Sequence, residues 1–206
     1  RPWIDWIHTA NVQGNAVRDM VKWDDQPASV ASSVESLIRA YHLAGTEPKG
    51  PVYVCFDTDV QEGKLDEPFG MPDFSRFPSP TRFQPDPNAI EDVASLLVGA
   101  KNPAFIAEFL GRDEAATSGL VQLAESLAVP VIAGGDLYNF PTHHALNASD
   151  SKNDLLSEAD VVVAFDVYDL QQVLTRQNWD TRTNEDILKP DAKLIDISLR
   201  QLTVKS

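Results

Sequence analysis

The sequence has one cysteine and few positive charges. Cys55 cannot form an intramolecular disulfide, and its place in the apolar run 51–56 predicts a buried, unreactive thiol. A reducing, cytoplasmic compartment is consistent with this cysteine content. Lys and Arg total 17 against 31 Asp and Glu, which gives a net charge of −14. That balance argues against nucleic acid and against an anionic membrane surface as partners, since both select clustered positive charge.

Long apolar runs and several known motifs are also missing. No stretch reaches the roughly 18 apolar residues of a membrane span. Neither a G-x-G-x-x-G dinucleotide fingerprint, a Walker phosphate loop nor a G-x-S-x-G nucleophile elbow occurs. Residues 1–5 do not resemble a signal peptide, and the chain lacks an initiating Met. We therefore expect it to begin and end within a longer protein.

Alternating helical and strand patterns run through the 206 residues. An apolar face repeating at helical spacing predicts a helix over 29–44, followed by a buried strand over 51–56. Asp86 is a candidate N-cap of a second helix, whose expected inward face is Ile90, Val93, Ala94 and Leu97. Further helices are expected around 120–127 and 155–156, and further strands over 103–107, 130–133, 160–165 and 193–197. This order predicts a doubly wound α/β fold with a mainly parallel, Rossmann-like sheet, preceded by a partial α/β domain.

A proline-rich segment separates the two parts. Six of the 14 prolines lie between residues 63 and 87, and proline interrupts both helices and sheets. The aromatic residues of this segment indicate that it lies on a surface. The predicted organisation is therefore 1–62, a crossing over 63–85, and 86–206.

Only weak candidates for chemistry stand out. Gly134 and Gly135 directly follow a predicted strand, where an open α/β sheet binds ligands, although a tight turn explains them equally simply. His143 and His144 are adjacent, so they do not share a face and make a poor metal pair; one of them packing or capping a loop is the simpler interpretation. The acidic pairs at 24–25 and 57–59 fall on predicted loops as general acid/base or cation candidates, or as solvated charges.

The order of several short motifs resembles thiamine-diphosphate-dependent enzymes. In spacing it is closest to benzoylformate decarboxylases, and acetohydroxyacid synthases are more distant. The motifs are VKW at 21–23, QPAS at 26–29, GPVYV at 50–54, AKNPAFI at 100–106, LAESLAVPV at 123–131, FPTHH at 140–144 and ADVVV at 159–163. Each is weak alone, and their common order carries the resemblance.

The resemblance implies a position within a three-domain enzyme acting on 2-oxo acids by decarboxylation or carboligation. Residues 1–62 would be the C-terminal part of its pyrimidine-binding domain, and residues 86–206 would be a C-terminally truncated central domain. Thiamine diphosphate, magnesium and the catalytic glutamate would be held by parts of the parent enzyme outside this chain. The chain would then have no catalytic or metal-binding residue and no activity of its own. Its partners would be the remaining domains, in a homodimer or homotetramer.

Four residues are candidate cofactor contacts: Gln13, Gly134, Gly135 and His144. The resemblance places Gln13 near the active-site entrance of such enzymes, and the alternative is an ordinary surface glutamine. FAD, which some members hold in the central domain, is not expected. Where flavin-holding members have glycines, residues 145–149 read ALNAS, and residues 165–168 lack their arginine. Two alternatives remain: a module binding FAD or an adenine nucleotide, and an NAD(P)-dependent oxidoreductase domain.

Overall fold

The computed structural model describes residue 10 and residues 12–199, and these divide into two compact units, up to Gln84 and from Pro85 onward. The assignment of named domains to 1–62, 63–85 and 86–206 stays a prediction. Residues 1–9, within the first predicted domain, lie outside the described part.

The first unit contains a two-stranded parallel sheet. Its elements are α1 (Gly14–Val17), β1 (Trp23–Asp25), α2 (Val30–Gly45), β2 (Val52–Val54), α3 (Thr58–Glu62) and a 3₁₀ turn over Phe74–Arg76. Strands β1 and β2 pair in parallel and are half-buried. Helix α2 begins where the sequence predicts, because Ser29 forms a capping box with Ser32.

The proline-rich segment packs on the C-terminal half of α2. Tyr41 and Ser79 share a hydrogen bond of 2.6 Å between their hydroxyls, and Pro80 lies against Gly45. The rings of His42 and Phe77 meet edge to face at 6.5 Å. This stretch is thus held against its own unit by specific side-chain contacts.

The second unit is a three-layer α/β/α sandwich. Its elements are α4 (Pro87–Gly99), β3 (Pro103–Ala107), a 3₁₀ turn (Leu110–Arg112), α5 (Glu114–Leu127), β4 (Val131–Ala133), a 3₁₀ turn (Ser149–Ser151), α6 (Lys152–Glu158), β5 (Val161–Phe165), α7 (Leu170–Leu174), β6 (Thr175–Asn178), β7 (Thr183–Asp186) and β8 (Lys193–Ile197). Strands β3, β4, β5 and β8 form one parallel sheet in the order β4-β3-β5-β8, and β6 and β7 form a separate hairpin. The predicted α/β fold with a mainly parallel sheet is confirmed.

Alternating side chains of the buried strands supply both faces of the core. On one face Phe105, Val131 and Val163 pack against α4 and α5. On the other, Ile106, Ile132 and Val162 pack against α6 and α7. Because both faces of β3 and β5 are covered, their sequences read as unbroken apolar runs.

Several local expectations were wrong, and one of them is the burial of the strand predicted over 51–56, which is half-buried and runs over Val52–Val54. The predicted inward face of α4 packs only through its C-terminal half, and Ile90 is 53% exposed. Cys55 is half-buried rather than buried, although desolvation raises the pKa of its thiol.

Neither acidic pair lies wholly on a loop as predicted: residues 24–25 form part of strand β1, because their backbone pairs with residues 53–54 of β2, and Asp59 lies in helix α3. The Asp25 carboxylate accepts a 2.6 Å hydrogen bond from the Ser36 hydroxyl.

Candidate functional site

The strand order of the second unit contains a switch point, and open α/β sheets bind ligands in the crevice at such a point. Strand β3 comes first in this sheet, β4 lies on one side of it and β5 on the other. The chain therefore changes direction between β3 and β5, and ligands bind outside the carboxyl ends of strands at such a switch point. We use the term carboxyl edge for the end of this sheet at which strands β3, β4, β5 and β8 have their carboxyl ends, together with the residues that directly follow those strands.

Glu108 occupies the centre of the carboxyl edge. It directly follows β3, and its Oε2 accepts a 2.8 Å hydrogen bond from the N–H of Tyr168, in the loop after β5. The ring of Phe109 lies 6.1 Å from that of Tyr168. The loops after the two central strands are thus tied together through a carboxylate.

Gly134 and Gly135 follow β4 at the same edge. A Cβ at Gly134 would lie 3.2 Å from Cγ of Glu108, and one at Gly135 would lie 2.9 Å from its carbonyl oxygen. Gly135 has a φ of +69°, which L side chains rarely adopt. The tight turn that the sequence allows is therefore present, and it lies against Glu108; cofactor binding by the two glycines stays a prediction.

Asp166, directly after β5, forms an ion pair with Arg112 of the 3₁₀ turn after β3. Asp166 is 6% exposed, has a φ of +51°, and its Oδ2 lies 3.1 Å from Nε of Arg112. The Ser198 hydroxyl, after β8, lies 3.5 Å from the other carboxylate oxygen of Asp166. Asp166 thus connects the ends of β5 and β8 to the 3₁₀ turn after β3.

A buried amide organises the loops around the crevice. Asn139 is 1% exposed, and its Nδ2 lies within 3.0 Å of the carbonyl oxygens of Glu108, Gly134 and Leu137. Its Oδ1 accepts a 2.8 Å hydrogen bond from the N–H of Gly111. One side chain therefore joins the loop after β3 to the loop after β4.

His144 has its partners on α5 and within its own loop. Its Nδ1 accepts a 3.1 Å hydrogen bond from the N–H of Leu146, and its Nε2 lies 3.2 Å from Oε1 of Glu125. The ring meets Phe140 edge to face at 4.9 Å. These contacts agree with the loop-capping interpretation, and a role in cofactor binding stays a prediction.

Gln13 lies in the first unit, where its Oε1 accepts a 3.0 Å hydrogen bond from the Tyr53 hydroxyl. The side chain is exposed. Its predicted place near an active-site entrance stays untested. Of the four candidate contacts, Gly134 and Gly135 lie at the carboxyl edge and His144 caps a loop of the second unit, whereas Gln13 belongs to the first unit.

Sequence reasoning missed Glu108, Asn139 and Asp166 as parts of the crevice. Their position in the sequence was an indication that could have been used for two of them, because Glu108 and Asp166 each directly follow a predicted strand. Asn139 gave no signal, because its four partners are backbone groups brought together only by the fold.

Within the described residues, no group of three His, Cys, Asp or Glu side chains converges to hold a metal ion. The helices of the described part include none that is long and apolar enough to cross a membrane.

Comparison with solved structures identifies the class of fold. The chain superposes on the thiamine diphosphate-dependent 4-hydroxybenzoylformate decarboxylase of Rhodococcus jostii with a TM-score of 0.70 and 21% identity, covering 96% of this chain and 38% of that one. It superposes on benzoylformate decarboxylase from Polynucleobacter necessarius with a TM-score of 0.69 and 20% identity, covering 95% and 37%. The fold is therefore one found in thiamine diphosphate-dependent enzymes.

Comparison with curated sequences narrows this class. Over 142 residues the chain is 30% identical to benzoylformate decarboxylase from Pseudomonas aeruginosa, which covers 66% of this chain and 26% of that relative. No family model matches the chain. The predicted resemblance to thiamine-diphosphate-dependent enzymes is confirmed, and the chain spans about a quarter of the length of this relative.

Proposed function

We propose that the chain is part of a thiamine-diphosphate-dependent enzyme that acts on a 2-oxo acid of the benzoylformate type. The observation that carries this proposal is the 30% identity to a benzoylformate decarboxylase over 142 residues. The agreement in fold over at least 95% of the chain with two decarboxylases supports it. The reaction would be decarboxylation, or carboligation by the same carbanion chemistry, for which thiamine diphosphate acts as the electron sink. The comparisons do not favour the nucleotide-binding and NAD(P)-dependent alternatives.

Within that enzyme, the two units would have different roles. Residues 1–62 would complete the pyrimidine-binding domain, and residues 86–206 would form most of a central domain that holds its neighbours in place. The first role is supported by strands β1 and β2, which pair in parallel but remain half-buried. Parallel strands are normally covered on both faces, so this sheet is suited to completion by further elements.

We further propose that the 206-residue chain alone binds no thiamine diphosphate and has no decarboxylase activity. A net charge of −14 disfavours an anionic diphosphate unless a cation is held beside it. Magnesium and the remaining ligands would come from other domains of a homodimeric or homotetrameric parent in the cytoplasm. These statements rest on the resemblance and the charge.

The test compares two proteins made from the same gene region. One is the 206-residue chain, and the other is the full open reading frame that contains it, both supplied with thiamine diphosphate and magnesium. Benzoylformate and pyruvate are each tested as the substrate. We expect CO₂ release from benzoylformate by the longer protein and none by the 206-residue chain. Turnover by the 206-residue chain would contradict its proposed inactivity, and a longer protein active on neither acid would contradict the proposed substrate class.

A further inference from the structure

The side chain of Glu108 follows β3, reaches across the switch point to the loop after β5, and also lies against the loop after β4 on its other side. Its carboxylate receives the N–H of Tyr168 on the β5 side at 2.8 Å. On the β4 side, Gly134 lies so close that a Cβ there would be 3.3 Å from Oε1 of Glu108. The crevice thus contains a negatively charged group supplied by the chain itself.

Peptide N–H groups at the carboxyl ends of strands are the groups that hold ligand phosphates and carboxylates in open α/β folds. Here the N–H of Tyr168 is already used by an internal carboxylate. The Gly134 N–H donates to the Ala107 carbonyl at 2.9 Å, so it is likewise engaged within the sheet. These two N–H groups, one after β5 and one after β4, therefore both donate to groups of the protein itself.

The positively charged side chain of Arg112 at the carboxyl edge also has a partner within the protein. Arg112 lies 3.1 Å from the buried carboxylate of Asp166, whose position is fixed by the loop after β5. A diphosphate entering the crevice would meet Glu108 directly and would have to compete with Asp166 for Arg112. Like charges placed together strongly disfavour association.

We propose that Glu108 takes the place of a ligand's anionic group and thereby excludes nucleotides and other diphosphates from this crevice. Glu108 is then a residue that determines specificity by occupying the site. The inference goes beyond the proposed function, since it concerns a site separate from any thiamine chemistry. It also gives a physical reason why Gly134 has no side chain, because a larger residue would displace the Glu108 carboxylate.

The test measures binding of ADP to the 206-residue chain by calorimetry, without added magnesium. Glu108→Ala removes both the charge and the volume, and Glu108→Gln removes the charge but keeps a hydrogen-bond acceptor for Tyr168. We expect ADP to bind Glu108→Ala at least about tenfold more tightly than the unaltered chain, with Glu108→Gln between the two. Glu158→Ala is the control, because it removes one negative charge from the exposed end of α6, before β5 and thus at the opposite edge of the sheet.

A second readout locates the binding. The amide resonance of Tyr168 should shift when ADP is added to Glu108→Ala and should not shift in the unaltered chain. Three results would each overturn the proposal. The first is an equal ADP affinity in the unaltered chain and all three variants, and the second is a gain in affinity in Glu158→Ala equal to that in Glu108→Ala. The third is tighter ADP binding without a shift of the Tyr168 amide resonance. If Glu108→Ala fails to fold, the absence of any gain in Glu108→Gln would overturn it.

Discussion

Asn139 shows how one buried side chain positions an entire edge of the sheet. Its amide satisfies backbone groups from two loops that are separated by the whole of α5. A buried carbonyl or N–H left without a partner costs about 1–3 kcal/mol. The geometry of the crevice therefore depends on a residue that would not contact a ligand itself.

Asn139→Ala should lower the free energy of unfolding by about 3 kcal/mol, because several buried backbone groups lose their partner at once. Urea denaturation followed by circular dichroism measures the change. Asn153→Ala is the matched control, since Asn153 is exposed on α6 and its replacement should stay within about 0.5 kcal/mol. A cost below 1 kcal/mol for Asn139→Ala would show that the loops do not depend on this amide.

Asp160 has the corresponding role at the opposite, amino edge of the sheet. Its carboxylate accepts hydrogen bonds from the N–H groups of Lys101 at 2.7 Å and Asn102 at 3.0 Å, just before β3. These backbone donors hold the pKa of Asp160 below its usual value, the Lys101 N–H most strongly. A carboxyl whose pKa is lower in the folded state stabilises the protein above its unfolded pKa, and that contribution is lost as the pH falls through the folded value.

We expect Asp160→Asn to lower the free energy of unfolding by about 1 kcal/mol at pH 7, since the carboxylate is only partly buried. The difference from the unaltered protein should begin to shrink as the pH falls below about 4, the ordinary pKa of an aspartate in the unfolded chain, and should be lost once the pH is below the lowered pKa of the native carboxyl. Urea denaturation at pH 7 and pH 3 measures both values, with Asp92→Asn on the exposed surface of α4 as the control. A difference independent of pH would show that charge is not what stabilises this contact.

At the scale of elements, two glycines eight positions apart, Gly111 and Gly119, illustrate opposite requirements. Gly119 lies inside α5, and a Cβ there would meet nothing within 4 Å. Gly111 lies in the 3₁₀ turn before α5, and a Cβ there would collide with the carbonyl group of Tyr138. Gly119 therefore weakens its helix without a packing reason, whereas Gly111 allows two loops to approach.

Gly119→Ala should raise the free energy of unfolding by about 0.5–1 kcal/mol, because alanine restricts the unfolded chain and favours the helix. Gly111→Ala should lower it by more than 1 kcal/mol, because backbone must move. Thermal unfolding of the two variants under one condition compares them directly. The same sign of change in both would contradict the assigned environments.

The sequence predicts those elements that have one buried face, that are buried on both faces, or that begin with a capping residue. The strand over 103–107 and the Asp86 N-cap were predicted correctly, because an apolar run and a capping carboxylate are local signals. The exposed hairpin β6–β7 gave no signal, since neither of its faces is buried and its side chains do not alternate. Periodicity placed Ile90 on the apolar face of α4 but could not indicate that the sheet covers only the other end of that helix.

The candidate site was less predictable than the fold for a related reason. The glycines at 134 and 135 were found because they directly follow a strand, but their closest neighbour in space, Glu108, is 26 positions away in the chain. The Asn139 network likewise consists of contacts between loops, which no local pattern encodes. Sequence could therefore locate the edge of the sheet where a site belongs without indicating that a carboxylate already occupies it.

At the scale of the whole molecule, the two units differ in how completely their sheets are buried. The second has buried strands with apolar clusters on both faces. The first has two half-buried strands, and its helix α2 has Leu37 51% exposed. Stability within a protein follows local burial, so the first unit should open at a lower free energy than the second.

Limited proteolysis should therefore cut the chain first before about residue 86 and leave the second unit intact. Residues 63–71 are all exposed and contain neither helix nor strand, which makes their backbone accessible to a protease. The endoproteinase that cleaves after glutamate has the exposed Glu62 available at the end of α3, directly before this stretch, whereas Glu125 and Glu158 lie on helices of the second unit. Mass spectrometry of the digest should show an early fragment that begins at Gly63 and persists while the preceding part is degraded further. Early cleavage after Glu125 or Glu158, or equal resistance along the chain, would contradict the inferred difference in stability, because a complete three-layer sandwich has to open before its helices can be cut.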